Sequence, residues 1–511
     1  MRMRKLPPMP KSSAAPYVKQ LFTASEHEFE TLRKRNALKF FRSAAANTPA
    51  YASFLKQKRI KPSSIKTFSD FQDLPKTDKK SYLKGHPRPS LIHRGGLARS
   101  LTWTATSGST GTPFYFPRTS QIDFEYSVIA EAYIRQNITS AAGPTLILDC
   151  LGMGVWIAGL LSFEAFHMVA ERGYPLSLLA PGLNKPEIYK ALKNLAPDFA
   201  QTIILGYPPF IKDILDGAKA ENIDLRKLNI RILTGAEGYS ESFRDYIVEA
   251  AGVRSPLLDT LNVYGSADIG TMAFETPIAI LARRLACADP ELFSALFGCN
   301  GKTPTLAQYN PNFVIFEEQD GEILLSGDSV MPLIRYAIGD RGGVHSFSAL
   351  CAKFSDFGIN LLQEAKAAGI APYIYRLPFV YVFERNDFSV SLYGLQIYPE
   401  HVREGLLRKE ATVFATGKFS MEVRYDNAHN QQLWVHVELH PGVIANSKLA
   451  TSIASSIAEG LKEQSGEYRE LLRHLGEKAL PSVTLWPNAS APHFCLGGKQ
   501  KWVVQKQNKK Q

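Results

Sequence analysis

The sequence predicts an α/β chain: a large domain of layered sheets and helices, followed by a small α+β unit. Three observations predict it. The chain has 511 residues, too long for one core of ordinary size. From about residue 105, short apolar runs alternate with helical segments, the pattern of α/β layers. Near residue 385 that pattern gives way to paired strands and one long amphipathic helix. The expected organisation is a basic arm over 1–25, a large domain over 26–384 and a small lid-like unit over 385–511.

The arm carries Pro7, Pro8, Pro10 and Pro16 and reads as mobile. Helical periodicity begins near Glu26 and runs to about Asn47, with Phe29, Leu32 and Phe40 among its apolar positions. Residues 68–79 are turn-rich and lead toward another helix. Residues 145–148 and 202–205 read as buried strands, and residues 186–195 and 210–221 as helices between them. In the small unit, residues 388–392 read as a strand and a short helix follows Pro399. Residues 418–425 and 432–439 form a hairpin. Ile453, Ile457 and Leu461, four apart, mark the buried face of a long helix, and residues 482–486 close the series as a strand.

Composition narrows the function. Hydrophobic residues make up 45% and charged residues 21%, values of a folded chain. The five cysteines are scattered and form no CxxC pair, which argues against a disulfide framework or a structural zinc site. Net charge is +11, from 59 basic and 48 acidic residues. However, Arg2, Arg4, Lys5, Lys11 and Lys19 precede the first acid, and Lys499, Lys501, Lys506, Lys509 and Lys510 crowd the end. Without those ten, 49 basic residues face 48 acidic ones, which leaves no folded basic face for nucleic acid. No apolar h-region follows the basic N-terminus. The most apolar stretch, residues 152–163, is shorter than the roughly 20 residues of a membrane span. A cytoplasmic enzyme is expected.

The strongest chemical signal is Thr106, Ser107, Gly108, Ser109, Thr110 and Gly111. Four hydroxyls and two glycines stand in six residues. Glycine lets backbone N–H groups approach an anion, and the hydroxyls add donors, which suits a polyphosphate. It is not a Walker A loop, and the GKT at residues 301–303 lacks its first glycine because Leu296 stands there. His436 and His440 are four apart without an HExxH pattern, and no G-x-S-x-G elbow occurs.

Downstream of that loop come Gly235-Ala236-Glu237, Tyr264-Gly265-Ser266-Ala267-Asp268, Tyr336-Ala337-Ile338-Gly339-Asp340, Arg385-Asn386-Asp387 with Gly394, and Gly498-Lys499. This ordered series resembles the adenylate-forming superfamily of acyl-CoA synthetases, adenylation domains and luciferases. Residues 152–156 (GMGVW), 205–209 (LGYPP) and the GAE triplet are similar to its phenylacetate-CoA ligase branch. The resemblance covers roughly residues 30–505.

What it implies is as follows. Residues 106–111 would hold the β- and γ-phosphates of ATP. Asp340 would accept hydrogen bonds from the ribose hydroxyls, and Tyr264 would stack near adenine. Gly235, Ala236, Glu237 and Gly265 would line the nucleotide, and Asp268 would hold Mg²⁺. Arg385 would reach ribose or phosphate, and Asp387 would be the hinge between lobes. Lys499, with Lys501 as fallback, would neutralise charge at the α-phosphate. Trp156 and Tyr207 would line a pocket for an aryl or apolar acid. The reaction implied joins a small carboxylic acid to AMP and then to CoA as a thioester, in a homodimer. Departures from the pattern are Ala267 for a usual Thr, Asp268 for Glu, Phe114 for Lys and Glu384 for Gly. They leave two alternatives open: transfer of the acyl group to an amine, carrier or protein, and a degenerate nucleotide-binding protein without activity.

Overall fold

Apolar runs that no solvent-facing strand could carry pair here into one large sheet buried on both faces. The computed structural model describes residues 14–98, 100–105, 114–136, 143–153, 157–236, 238–298, 303–383, 390–392, 395–425, 431–494 and 502–503. In chain order the strands are β1 (Thr77–Asp78), β2 (Thr102–Ala105), β3 (Tyr115–Arg118), β4 (Thr145–Asp149), β5 (Leu176–Leu179), β6 (Gln201–Gly206), β7 (Ile230–Gly235), β8 (Thr260–Ser266), β9 (Gly270–Phe274), β10 (Thr305–Gln308), β11 (Ile315–Gln319), β12 (Glu322–Gly327), β13 (Leu333–His345), β14 (Phe379–Phe383), β15 (Val390–Leu392), β16 (Leu395–Ile397), β17 (Ala415–Tyr425), β18 (Gln431–Leu439) and β19 (Ser482–Trp486).

Among the described residues, twelve strands form one sheet in the order β11-β12-β13-β14-β10-β9-β8-β7-β6-β4-β5, with β1 beside β13. The β5-β4-β6-β7-β8 half is parallel, and from β9 onward neighbours on the main path pair antiparallel. Helices cover both faces of the parallel half. Ile147, Ile203, Leu233 and Leu261 join one core cluster with the Ser120–Arg135 and Ile157–Ala170 helices. Leu146, Leu148, Ile204 and Ile232 join another with the Lys185–Asn194 and Pro208–Ala220 helices. Burial on both faces explains why these strands read as continuous apolar runs. The crossover after β4 lies on one face and that after β5 on the other. The carboxyl ends of β4 and β6 therefore flank a topological switch point, where open α/β sheets place their ligands.

The expected helix from Glu26 to Asn47 is present, closed at its start by a capping box between Ser25 and Glu28. The helix expected from residue 210 starts at Pro208, because Pro208 and Pro209 occupy the first turn, where no N–H is needed. Half of the expected basic arm is itself ordered. The helix Ala15–Thr23 buries Val18 and Leu21 in the cluster it shares with the Ser120–Arg135 helix. Prolines at the first turn are compatible with a helix, which the proline count alone had hidden. No helix among the described residues is long and apolar enough to cross a membrane.

The small unit contains β15 and β16 paired as a ribbon, and a separate β17-β18-β19 sheet. β17 and β18 are the expected hairpin, and β19 joins β18 in parallel after the Ser447–Gln464 helix. That helix crosses the Pro399–Leu406 helix at a glycine contact. A Cβ on Gly405 would stand 2.4 Å from the Ile457 Cα, and one on Gly460 would stand 2.4 Å from the Gly405 nitrogen. Small residues here let two backbones touch, and the core of Leu406, Phe419, Val435, Ile453 and Ile457 closes around them. Gly460→Val should force the helices apart and destabilise the small unit by about 1–3 kcal/mol. Thermal unfolding should show an early transition from this unit alone.

Candidate functional site

The site is built at the border between the parallel and antiparallel halves of the sheet. β8 delivers Tyr264 and Gly265, then turns through Ala267 and Asp268 into β9. The turn is tight. A Cβ on Gly265 would stand 2.9 Å from the Gly270 carbonyl oxygen, and Gly270 has φ +92°. Only glycine holds both positions without strain. β13 delivers Tyr336 and Asp340, four residues apart and so on one face of the strand.

These two motifs have the same spacing, Tyr-x-x-x-Asp, and they bond reciprocally. Tyr264 donates its phenolic hydrogen bond to Asp340 Oδ2. Tyr336 donates to Asp268 Oδ2 at 2.6 Å. The Asp268 N–H also donates to Ser266 Oγ at 3.2 Å. Both aspartates are 8% exposed and Tyr336 is 1% exposed. Two carboxylates are thereby aimed by two phenols at one border of the sheet. A charge-assisted bond of this kind contributes about 1.5–3 kcal/mol. Asp340 and Asp268 were read from the sequence, but Tyr336 was not given a role. Its signal was the repeated spacing.

Gly235 ends β7 opposite Val263 of β8, so Ala236 emerges one strand from Tyr264. Ala236 has φ +72°, a left-handed conformation rare for a residue with a Cβ. It stands exposed at the strand's carboxyl end. The 106–111 loop lies outside the described residues, but its flanks do not. Ala105 pairs with Tyr115. Trp103 and Phe114 pack on the same core cluster as Tyr264 and Ala267. The sequence-derived residues Trp156, Glu237, Arg385, Asp387, Lys499 and Lys501 also lie outside the described residues. Tyr207 is half-buried and stacked on Phe210, with ring centroids 5.7 Å apart.

At the switch point stands a residue that sequence reading missed. Asp149 ends β4 and is 1% exposed. Its Oδ1 accepts the Leu151 N–H at 3.1 Å, while Oδ2 has no hydrogen-bond partner among the described residues. Burial pushes its carboxyl up to about 8. An aspartate inside an apolar run carries no sequence signal of this kind, because burial is a property of the fold. A cavity of about 680 Å³ opens elsewhere, between Asp73, Lys76, Glu317 and Arg335. None of the sequence-derived site residues lines it.

No protein-family model matches the sequence, and no curated protein matches it. Solved structures do. In its postadenylation state, in complex with R3-HIB-AMP, 2-hydroxyisobutyryl-CoA ligase matches with a TM-score of 0.62 at 14% identity, over 98% of this chain and 94% of that one. The same ligase in an open conformation with 2-HIB-AMP and CoA gives 0.55 at 14% identity, over 91% and 96%. In its thioesterification state it gives 0.50 at 15% identity, over 99% and 94%. At these identities the likeness is one of fold. It spans the large domain and the small unit together.

Two outcomes test the site as built. Tyr336→Phe should destabilise the chain by about 1–3 kcal/mol, because Asp268 loses its buried donor. A double-mutant cycle with Asp268→Asn should show coupling between the two. Asp149 stays neutral in the folded chain to about pH 8 but ionises near 3.8 when unfolded. Stability from this group therefore falls as pH rises between those values. Asp149→Asn should remove that fall. Its melting temperature relative to the parent should rise by at least ~2 °C between pH 5 and pH 8.

Proposed function

We propose that this chain is an AMP-forming ligase that activates a small carboxylic acid as an acyl-adenylate and passes the acyl group to CoA. The observation that carries the reading is the reciprocal tyrosine–aspartate brace, standing at the carboxyl edge of a fold shared with an AMP-bound CoA ligase. An ionised carboxylate offers about four lone-pair sites. Asp340 can therefore keep the Tyr264 phenol and still accept from both ribose hydroxyls. Tyr264 is fixed by that bond on the strand next to the one that ends at Gly235, and a purine could lie against its ring.

Asp268 fits a magnesium site. The ion prefers one or two carboxylates with the remaining positions filled by phosphate and water. Among the described residues no group of three His, Cys, Asp or Glu forms an all-protein cage. Bound there, Mg²⁺ would supply positive charge to the phosphates. The 106–111 loop would hold the β- and γ-phosphates through hydroxyls and backbone N–H groups. Lys499, with Arg385, would stabilise charge developing as the acid's carboxylate attacks the α-phosphorus and pyrophosphate leaves. The thiolate of CoA then attacks the acyl carbonyl and AMP departs. The small unit, moving about the segment near Asp387, keeps water from the mixed anhydride.

An aryl or apolar acid, the phenylacetate-CoA ligase-like branch and a homodimer belong to the same proposal. ATP–pyrophosphate exchange across a carboxylic-acid panel tests the first half. Mass spectrometry with and without CoA tests the second. At least one acid should drive exchange, and a thioester should appear only with CoA. Adduct on an added amine or carrier instead would move the acceptor, and no exchange with any acid would end the proposal. Asp340→Ala should lower exchange about 10²-fold through two lost charge-assisted bonds. Lys499→Ala should lower it about 10²–10³-fold without changing ATP affinity as much.

A further inference from the structure

The outer face of the small unit's sheet carries a histidine pair that the proposed chemistry does not use. Phe419, Met421, Leu433, Val435 and Val437 point into the core of that unit. The residues between them point the other way. Ser420, His436 and Thr484 stand side by side across β17, β18 and β19, with Glu422 and Trp434 in the next row. The segment that follows β19 returns over this face and brings His493 with it. The His493 ring stacks on that of His436, with centroids 3.9 Å apart and planes 17° from parallel. Trp486, at the end of β19, closes the third side, 4.9 Å from His493 and 5.9 Å from His436. His440, four residues beyond His436, bonds the Thr412 carbonyl instead.

The hydrogen bonds fix where the protons are. The Trp486 indole N–H can only donate, and it meets His436 Nδ1 at 3.0 Å. Nδ1 is therefore the acceptor, and the His436 proton sits on Nε2, 3.3 Å from Glu422 Oε1. Arg424 donates to the same Glu422 oxygen at 2.7 Å and comes within 3.4 Å of that Nε2. His436 is 3% exposed, so a second proton must enter a buried ring and break the indole bond. His493 is half-buried, and its Nδ1 lies 2.9 Å from Ser420 Oγ. The charged groups around the pair are Glu422 and Arg424 of β17, with Lys418 and Glu438 further along the same face. Burial holds both rings below the usual histidine range; Glu422 opposes that shift and Arg424 adds to it. Charge on His493 also disfavours charge on His436.

The same segment is tied by the Ala489 N–H, which donates to Glu438 Oε1 at 2.8 Å, and by the buried Phe494. What the stack adds depends on both rings staying neutral. In an opened segment each ring titrates near the free value of about 6.5. The open form then takes up protons that the closed form refuses. The closed form is fully favoured above about pH 6.5 and loses ground as pH falls below it.

We propose that His436 and His493 are a proton-sensitive clasp: neutral and stacked, they hold residues 487–494 on the outer face of the β17-β18-β19 sheet, and protonated they release that segment. The inference is independent of the proposed ligase activity. Linkage sets its size. Between pH 7.5 and pH 5.5, each ring that titrates only in the open form raises the opening constant about tenfold, so the pair raises it about 10–100-fold.

Amide hydrogen exchange of the full chain tests it, read on residues 487–494 at the two pH values and corrected for the intrinsic pH dependence of exchange. Protection of the segment should fall about 10–100-fold at pH 5.5, while the Gln201–Gly206 strand and the Ser447–Gln464 helix keep theirs. His493→Phe leaves a ring on His436 that cannot take a proton. It should match the parent's protection at pH 7.5 within about threefold and shrink the loss at pH 5.5 about tenfold. His493→Gln, which can still bond Ser420, should shrink the loss in the same way and stands in if the phenylalanine variant folds poorly. His493→Ala should expose the segment at both pH values. An alanine variant as protected as the parent overturns the clasp. So does a segment whose protection changes less than about threefold with pH, or falls equally in the parent and the two non-titrating variants. Equal loss in the Ser447–Gln464 helix overturns it too, because the protons then unfold the small unit as a whole.

Discussion

The site depends on one constraint: two buried aspartates at the border of the sheet must each be held in a fixed direction. Each is held by a phenol from the other's strand. A phenol suits this task because it donates a hydrogen bond without bringing a charge of its own. The arrangement also locks the β8–β9 turn to β13. Neither motif keeps its geometry if the other shifts, since each supplies the donor for the other's acid. Networks of this kind specify one arrangement of the backbone, because a half-satisfied buried carboxylate costs more than an apolar pair.

Around that brace the sheet changes character. On one side the strands are parallel, double-faced and apolar, and their carboxyl ends open at Asp149, Tyr207 and Ala236. On the other they are antiparallel, and β13 runs long enough to contribute Tyr336 and Asp340 as well as the irregular stretch at Arg335. Arg335 has φ +46°, and its guanidinium is satisfied by the Leu74 carbonyl, Gln319 and Glu317. A strained residue so well tied lies directly before Tyr336, where it helps set the direction in which that side chain leaves the strand.

The small unit completes the picture as a second body with its own core. Its interface with the large domain is largely polar, with serines, a lysine, an arginine and buried acids, while Leu407 packs on the cluster that holds Tyr239 and Phe243. Polar interfaces form and open at lower energetic cost than apolar ones. The brace is buried within one body, while the contacts between the bodies include hydrogen bonds and an ion pair of part-buried side chains.

Much of this was legible in the residues. The buried strands, the Glu26–Asn47 helix, the β17–β18 hairpin and the final strand Ser482–Trp486 follow from periodicity, because burial on one or two faces writes itself into the order of apolar residues. The loop at residues 106–111 stood out by its hydroxyls and glycines, while Tyr264, Asp268 and Asp340 stood out through the ordered series of motifs that resembles the adenylate-forming superfamily. What tertiary structure alone decided was pairing. Nothing local says that Tyr336 serves Asp268, that Asp149 is stranded in an apolar edge, or that Ala15–Thr23 packs onto a distant helix. These partners come from segments far apart in the chain, and periodicity reports only which way a side chain points. Which group it meets there is settled when the layers close.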